Sequence, residues 1–60
     1  MKRRDLVKLL ERNGWRLVRT GGNHDIYSDG VRFEPIPRHR DINEKLSKVI
    51  IRRCGLEEHR

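Results

Sequence analysis

The sequence predicts a single α+β domain in which two helices pack on one face of a three-stranded antiparallel sheet. Three observations carry this prediction: an amphipathic segment near each end of the chain, β-branched runs between them, and an Asp-Gly pair within the longest run. The chain has 60 residues, enough for one small core. We expect an ordered region over about residues 3–56 and a short charged tail over 57–60.

The first helix is predicted from about Arg3 to Asn13. Its apolar positions with helical spacing are Leu6, Leu9 and Leu10, and its basic positions on the opposite side are Arg4, Lys8 and Arg12. Gly14 follows, and glycine is the usual left-handed residue just past a helix end. This ending predicts that Trp15 packs back on Leu10.

The segment "WRLVRT" predicts a first strand that ends at Gly21–Gly22. In "HDIYSDGVRFEPIP", the Asp29–Gly30 pair predicts a two-residue type I′ turn between two further strands. The pairs expected from that turn are Ser28 with Val31, Ile26 with Phe33, His24 with Pro35, Asp25 with Glu34, and Tyr27 with Arg32. We expect the face with Ile26, Val31 and Phe33 to meet the helices, with His24 at its outermost rim and the other face solvated.

A second helix is predicted from about Asn43 to Cys54. Asp41 or Asn43 can cap it, and Asp41 with Glu44 fits a capping box. The positions expected to be buried are Leu46, Val49, Ile50 and Cys54, whereas Lys45, Lys48 and Arg52 share another face. Gly55 repeats the helix-ending signal and predicts a contact between Leu56 and Ile51.

The balance of charge favours a polyanionic partner. Fifteen Lys and Arg residues against nine Asp and Glu give a formal charge of +6, which points to nucleic acid first and to an acidic protein or simple solubility second. Cys54 is the only cysteine, so no internal disulfide can form, which suits a reducing cytoplasm. The first apolar stretch is interrupted by Lys8 and is too short for a signal peptide or a membrane span, so we expect no membrane association.

His24 is the candidate for chemistry. The glycines before it allow positive φ and unobstructed N–H groups, so that a phosphate can come close. An imidazole exchanges protons near neutral pH, and a base beside a phosphate site in a basic protein suggests RNA cleavage with the ribose 2′-OH as nucleophile. The alternative, which residue chemistry alone favours, is a partly buried histidine hydrogen-bonded at a strand end.

A further set of residues could contact RNA phosphates: Arg38, His39, Arg40, Lys45 and Lys48. His39 could instead transfer a second proton, or be an ordinary loop histidine. The lysines equally fit a solvated helix face.

Metal binding is not expected. There is no CxxC or HxxxH spacing, and Cys54 lies on an apolar stripe. Asp25 and Glu34, as predicted cross-strand neighbours, could hold a cation or simply be surface residues. His59 is assigned no role.

Four blocks of the sequence together resemble the HicA toxin family. "GGNHDIY" resembles the family's G-S-H-x-x-Y/F motif, "LVKLLERNGW" precedes it, "PIPRHR" follows the hairpin, and "IIRRCGL" resembles the I-L-K-Q-x-G-L ending. The resemblance covers about residues 3–56. It implies a fold like that of a double-stranded-RNA-binding domain, and translation-blocking cleavage of mRNA. We expect that cleavage to need no metal or other cofactor. The resemblance also implies that His24 is catalytic and that a HicB-type antitoxin covers the site.

One position departs from the family pattern. Asn23 stands where the family more often has serine, which puts a hydroxyl-specific role in doubt but not the activity, because an amide can still bond a phosphate or orient the imidazole. In the expected mechanism, Gly22 and Asn23 backbone groups hold the phosphate. The competing hypotheses are a non-catalytic double-stranded-RNA-binding module and a small adaptor that docks an acidic protein.

Overall fold

The computed structural model describes residues 1–57 and contains five elements in the order α-β-β-β-α. They are α1 (Arg3–Arg12), β1 (Arg16–Gly21), β2 (His24–Ser28), β3 (Phe33–Pro37) and α2 (Glu44–Cys54). The strands form one antiparallel sheet in the order β1-β2-β3, so β2 is central. The predicted α+β fold is confirmed. Residues 58–60, and with them His59 and most of the predicted tail, lie outside the described residues.

One apolar core joins both helices to the same face of the sheet. Tyr27 of β2 and Ile36 of β3 are buried on that face. The helices and loops contribute the remaining buried residues: Leu6, Leu9, Leu10, Trp15, Ile42, Ile50, Cys54 and Leu56. The predicted stripe of α1 is therefore confirmed.

Within residues 1–57, neither helix has the length and hydropathy needed to cross a bilayer.

The end of α1 follows its sequence signal. Asn13 is the C-cap and Gly14 has a φ of 84°, the left-handed conformation in which glycine carries no Cβ penalty. The N–H of Trp15 donates to the carbonyl of Leu10 over 2.9 Å, and that of Gly14 donates to Glu11 over 3.1 Å. These two hydrogen bonds bring Trp15 back against Leu10, as predicted.

At the start of α2, one of the two candidate caps is used. The Asn43 side-chain oxygen accepts from the N–H of Lys45 over 2.8 Å and from that of Leu46 over 3.4 Å. The Asp41 capping box is wrong, because Asp41 instead forms a backbone bridge to Lys2. The N-terminal residues are thereby held against the segment that leads into α2.

The buried stripe of α2 is rotated from the prediction. Leu46 and Val49 are exposed, whereas Ser47 is buried along with Ile50 and Cys54. Apolar periodicity could not separate the two stripes, because both contain Ile50 and Cys54. Ser47 can be buried since its hydroxyl donates to the carbonyl of Glu44 over 2.9 Å.

The end of α2 is as expected. Gly55 has a φ of 63°, and the N–H of Leu56 donates to the carbonyl of Ile51 over 2.9 Å. Leu56 is thereby turned into the core, where it is buried.

The predicted two-residue turn at Asp29–Gly30 is wrong. A four-residue loop, 29–32, joins β2 to β3, because Oδ1 of Asp29 accepts from the N–H groups of Val31 (2.9 Å) and Arg32 (2.7 Å) and extends the turn. Every pair is shifted by two residues. The observed pairs are Ser28 with Phe33, Tyr27 with Glu34, Ile26 with Pro35, Asp25 with Ile36, and His24 with Pro37.

The predicted core face of the sheet is also wrong. Tyr27 and Ile36 are buried, whereas Phe33 is 67% exposed and His24 lies on the exposed face instead of the core rim. We call this uncovered side the outer face. The face expected to be solvated carries Glu34, whose Oε2 lies 2.9 Å from Nη2 of Arg53 on α2, an ion pair whose angles fall short of a hydrogen bond. A helix thus supplies the counter-charge that the strand pattern alone could not reveal.

Candidate active site

A tight turn fixes the position of His24. Gly21 pairs with His24, so β1 and β2 are joined by the two residues Gly22 and Asn23 alone. Gly22 has a φ of 54° and, among residues 1–57, no residue other than glycine has a positive φ, which is the pattern of a type II′ turn with glycine first. The sharp hairpin expected at Asp29–Gly30 therefore occurs here instead, and His24 begins β2.

The imidazole of His24 has no structural task within the described chain. Its residue is exposed, and among residues 1–57 its side chain makes no hydrogen bond or ion pair. The alternative of a partly buried, hydrogen-bonded strand-end histidine therefore does not hold. Both ring nitrogens are open to an incoming ligand.

The loop after β3 lies beside the turn. The N–H of Arg38 donates to the carbonyl of Asn23 over 3.2 Å, and a shallow cleft is lined by Gly22, Asn23, Arg38 and His39. His24 adjoins this cleft because it pairs with Pro37, the residue before the loop. Five residues selected from sequence thus lie together at one end of the sheet.

Asp25 fixes the cation at this cleft. Its Oδ1 accepts from Nε of Arg38 over 2.9 Å, and its Oδ2 accepts from Nη2 of Arg3 over 2.7 Å. Arg3 also donates through Nε to the carbonyl of Pro37 over 2.8 Å. The Asp25 side chain is only 14% exposed, so these charge-assisted bonds are partly shielded from water. The network holds α1, β2 and the end of β3 together behind His24.

Cations from the N-terminus extend the site. A second cleft is lined by Lys2, Arg3, Arg4 and Arg40, and the N–H of Arg3 donates to the carbonyl of Arg40 over 2.9 Å. Cations at a helix N-terminus oppose the helix dipole, so the charges of Lys2 and Arg4 do not stabilise α1. Arg40 was expected from sequence to contact RNA. Lys2, Arg3 and Arg4 were not, and the sequence feature that could have identified them is the initial "KRR" run. We call this region the basic end: Lys2, Arg3, Arg4, Gly22, Asn23, His24, Arg38, His39 and Arg40.

The two lysines of α2 stand apart. Lys45 and Lys48 are exposed on the first turns of the helix, but neither lines a cleft of the basic end.

The other candidate groups, Cys54, Asp25 and Glu34, are buried or already bound. Burial, with the Glu34 carboxylate adding to it, raises the pKa of the Cys54 thiol to about 11, so this thiol is neutral at physiological pH. Asp25 and Glu34 are not cross-strand partners, and each carboxylate is bound by arginine instead of being available to a cation. Within residues 1–57, no three His, Cys, Asp or Glu side chains converge into a metal-binding group.

The family described as "HicA toxin of bacterial toxin-antitoxin" matches residues 3–56, which is nearly the whole chain and includes every element of the fold. No curated protein and no solved structure matches.

Proposed function

Because the chain belongs to the HicA toxin family of bacterial toxin–antitoxin systems, we propose that it is an endoribonuclease that cleaves mRNA and so blocks translation. The observation that carries the proposal is the exposed imidazole of His24, which has no partner among residues 1–57 and adjoins a cleft bearing Arg38. A side chain with no structural task beside a cluster of cations suits a reacting group in contact with a phosphodiester.

In the proposed reaction, His24 acts as general base. Its imidazole removes the proton of a ribose 2′-OH, and the resulting oxygen attacks the adjacent phosphorus. The bond from phosphorus to the 5′-oxygen breaks, and that oxygen takes up a proton. The products are a 2′,3′-cyclic phosphate and a 5′-hydroxyl. His39 lines the same cleft and is a candidate source of the second proton.

The phosphate would be held by the basic end. The N–H groups of Gly22 and Asn23, with the guanidinium of Arg38, would contact the scissile phosphate. Arg40 would contact a neighbouring phosphate, and Lys45 and Lys48 more distant ones. Since Arg38 is fixed by Asp25, its charge is positioned before substrate arrives.

The partner of this site would be an antitoxin of the HicB type. Such a protein would neutralise the toxin by covering His24 and the adjoining cations, which are open in the free chain. The toxin would then act in the cytoplasm when the antitoxin is lost.

The test is cleavage of labelled RNA by purified protein in the presence of EDTA. We expect wild type to cut, and His24→Ala to lose at least about 100-fold in rate, because proton transfer by a positioned base contributes that much. His59→Ala is the matched control and should cut like wild type. His39→Ala measures the second proton transfer.

Three outcomes would count against the proposal. Cleavage retained by folded His24→Ala removes the role of this histidine, and a 5′-phosphate product removes the internal nucleophile. Tight, salt-sensitive binding without turnover would favour a non-catalytic double-stranded-RNA-binding module instead.

A further inference from the structure

The outer face of the sheet carries an uncovered aromatic ring on the same side as His24. His24, Ile26 and Ser28 alternate along β2, and Phe33 pairs with Ser28, so the ring lies two rows of pairs away from the imidazole. That separation is roughly 13 Å at the usual rise along a strand. Phe33 is 67% exposed, which is unusual for the only phenylalanine of a chain with so small a core.

A bulge in β1 builds a groove beside this ring. The register of β1 against β2 shifts between Leu17 and Arg19, which leaves Val18 unpaired. Val18, Arg19, Ile26 and Phe33 together line a shallow groove on the outer face. The groove is thus apolar apart from Arg19, and through Ile26 it includes part of β2, the strand that begins at His24.

The charges around the groove disfavour a cationic occupant. The two carboxylates of the paired strands, Asp25 and Glu34, lie on the core face and are bound by arginines. The carboxylate of the loop between β2 and β3, Asp29, is bound by Arg32. The outer face therefore presents apolar and cationic groups, which suits an occupant with flat apolar surfaces and negative charge.

We infer that this face binds single-stranded RNA, with one base stacked on Phe33 and a phosphate contacting Arg19. The inference rests on the proposed nuclease function and specifies its substrate class. A strand crossing the basic end would continue past His24 along the outer face. Only unpaired bases expose a face to stack on a side chain, because the faces of duplex bases are already covered by their neighbours.

Binding is measured in the His24→Ala background, so that the RNA stays intact. The probe is a short, 5′-fluorescein-labelled single-stranded RNA, compared with a duplex of the same sequence. Adding Phe33→Ala should weaken single-strand binding about tenfold, since one stacked base contributes about that much. Phe33→Tyr keeps a stacking ring and should bind like the parent, and so should Val31→Ala, whose side chain is exposed in the neighbouring loop.

A spectroscopic readout reports the stack itself. The one native tryptophan, Trp15, is buried and gives a constant background. In Phe33→Trp, the added fluorescence should be quenched by unlabelled single-stranded RNA, and much less by the duplex.

Equal affinities of Phe33→Ala and Val31→Ala, no quenching in Phe33→Trp, or duplex binding as tight as single-strand binding would each overturn the inference. If Phe33→Ala impaired only the capture of an antitoxin, the face would belong to the protein partner and the inference would also be wrong. None of these readouts requires turnover, so they fail independently of the cleavage test.

Discussion

At the end of the sheet where β2 begins, Lys2 and Arg40 line an open cleft, and neither side chain has a carboxylate partner among residues 1–57. At the opposite end, where β3 begins, Arg32 and Arg53 are both held by carboxylates. We call this second region the clasped end: Asp29, Arg32, Glu34 and Arg53. Arginines are held by carboxylates at both ends, but the basic end has in addition two open cations, Lys2 and Arg40.

The helix termini explain the contrast physically. At the clasped end, the Arg32 guanidinium donates to the carbonyls of Arg53 and Cys54 over 3.3 Å each, and it lies 5.3 Å from the Trp15 ring centroid. A cation at the C-terminus of α2 is favoured by the helix dipole, whereas the cations at the N-terminus of α1 are opposed by it. Lys2 and Arg4 lie against the dipole without a carboxylate partner among residues 1–57, which is the arrangement that the proposed phosphate contacts require.

The largest effect is expected at Asp25, whose carboxylate binds both Arg3 and Arg38 of the basic end. Asp25→Ala should lower the free energy of unfolding by about 3 kcal/mol, because it leaves the partly buried Arg3 without its counter-charge. RNA cleavage should fall as well, since Arg38 is released. Urea unfolding measures the first effect, with the exposed Glu11→Ala as the control. A stable Asp25→Ala protein with full activity would contradict the role of this network.

The next largest effect is expected at the clasped end. Arg32→Ala should lower the free energy of unfolding by about 2 kcal/mol, through loss of charge-assisted hydrogen bonds and of the contact with Trp15, discounted for its half-exposed side chain. Arg52→Ala removes the same charge from an exposed position and should have little effect. RNA affinity of the folded Arg32→Ala protein should stay unchanged. If Arg32→Ala instead lost RNA affinity and kept its stability, the clasped end would be an RNA-binding region and the contrast between the two ends would not hold.

A smaller effect, confined to binding, is expected for the open cations. The double variant Lys2→Ala/Arg40→Ala should make the slope of log K against log salt less steep by about 1.4, at roughly 0.7 for each lost contact with a single strand. Its stability should change by less than about 0.5 kcal/mol. Lys8→Ala/Arg12→Ala, on the outside of α1, is the control of equal charge. Equal slopes for the two doubles would mean that only net charge matters.

The smallest expected effect is a pH dependence of the stability that Asp29 contributes at the clasped end. Hydrogen bonds from the N–H groups of Arg32 and Val31 lower the pKa of Asp29 from 3.8 to about 2. Since the folded-state pKa is depressed, the stabilisation is complete above about pH 4 and is lost as the pH falls towards 2. Thermal melts of wild type and Asp29→Asn should therefore differ most above pH 4 and converge near pH 2. A difference that stays constant over this range would exclude the ionised carboxylate as its cause.

Local signals predicted the parts of the fold that are decided locally. The stripe of α1 and the glycine-ended helices at Gly14 and Gly55 depend on residues within a few positions of each other, and all are observed. The prediction of a two-residue hairpin was wrong because the Asp29 side chain accepts hydrogen bonds from two N–H groups downstream, which lengthens the loop. The prediction of the core face was wrong because the charge of Glu34 is compensated by Arg53, which is far away in sequence.

The candidate site divides in the same way. His24 and the Gly22–Asn23 turn are contiguous, so sequence could select them together, and the family resemblance added a role for the histidine. The pairing of Asp25 with Arg3 spans 22 positions and has no local signature. The cleft between Lys2 and Arg40 depends on how the N-terminus folds back on the segment before α2, which periodicity does not describe.

The bulge at Val18 has a further consequence for the free molecule. β1 is an edge strand with a free side, and an uncovered apolar face beside a free edge is the usual starting point for strand-to-strand polymerisation. The unpaired residue breaks the regular spacing of N–H and carbonyl groups, and Arg16 and Arg19 of that strand would meet like charges in a second copy. The irregularity therefore disfavours self-assembly of the open sheet through this edge.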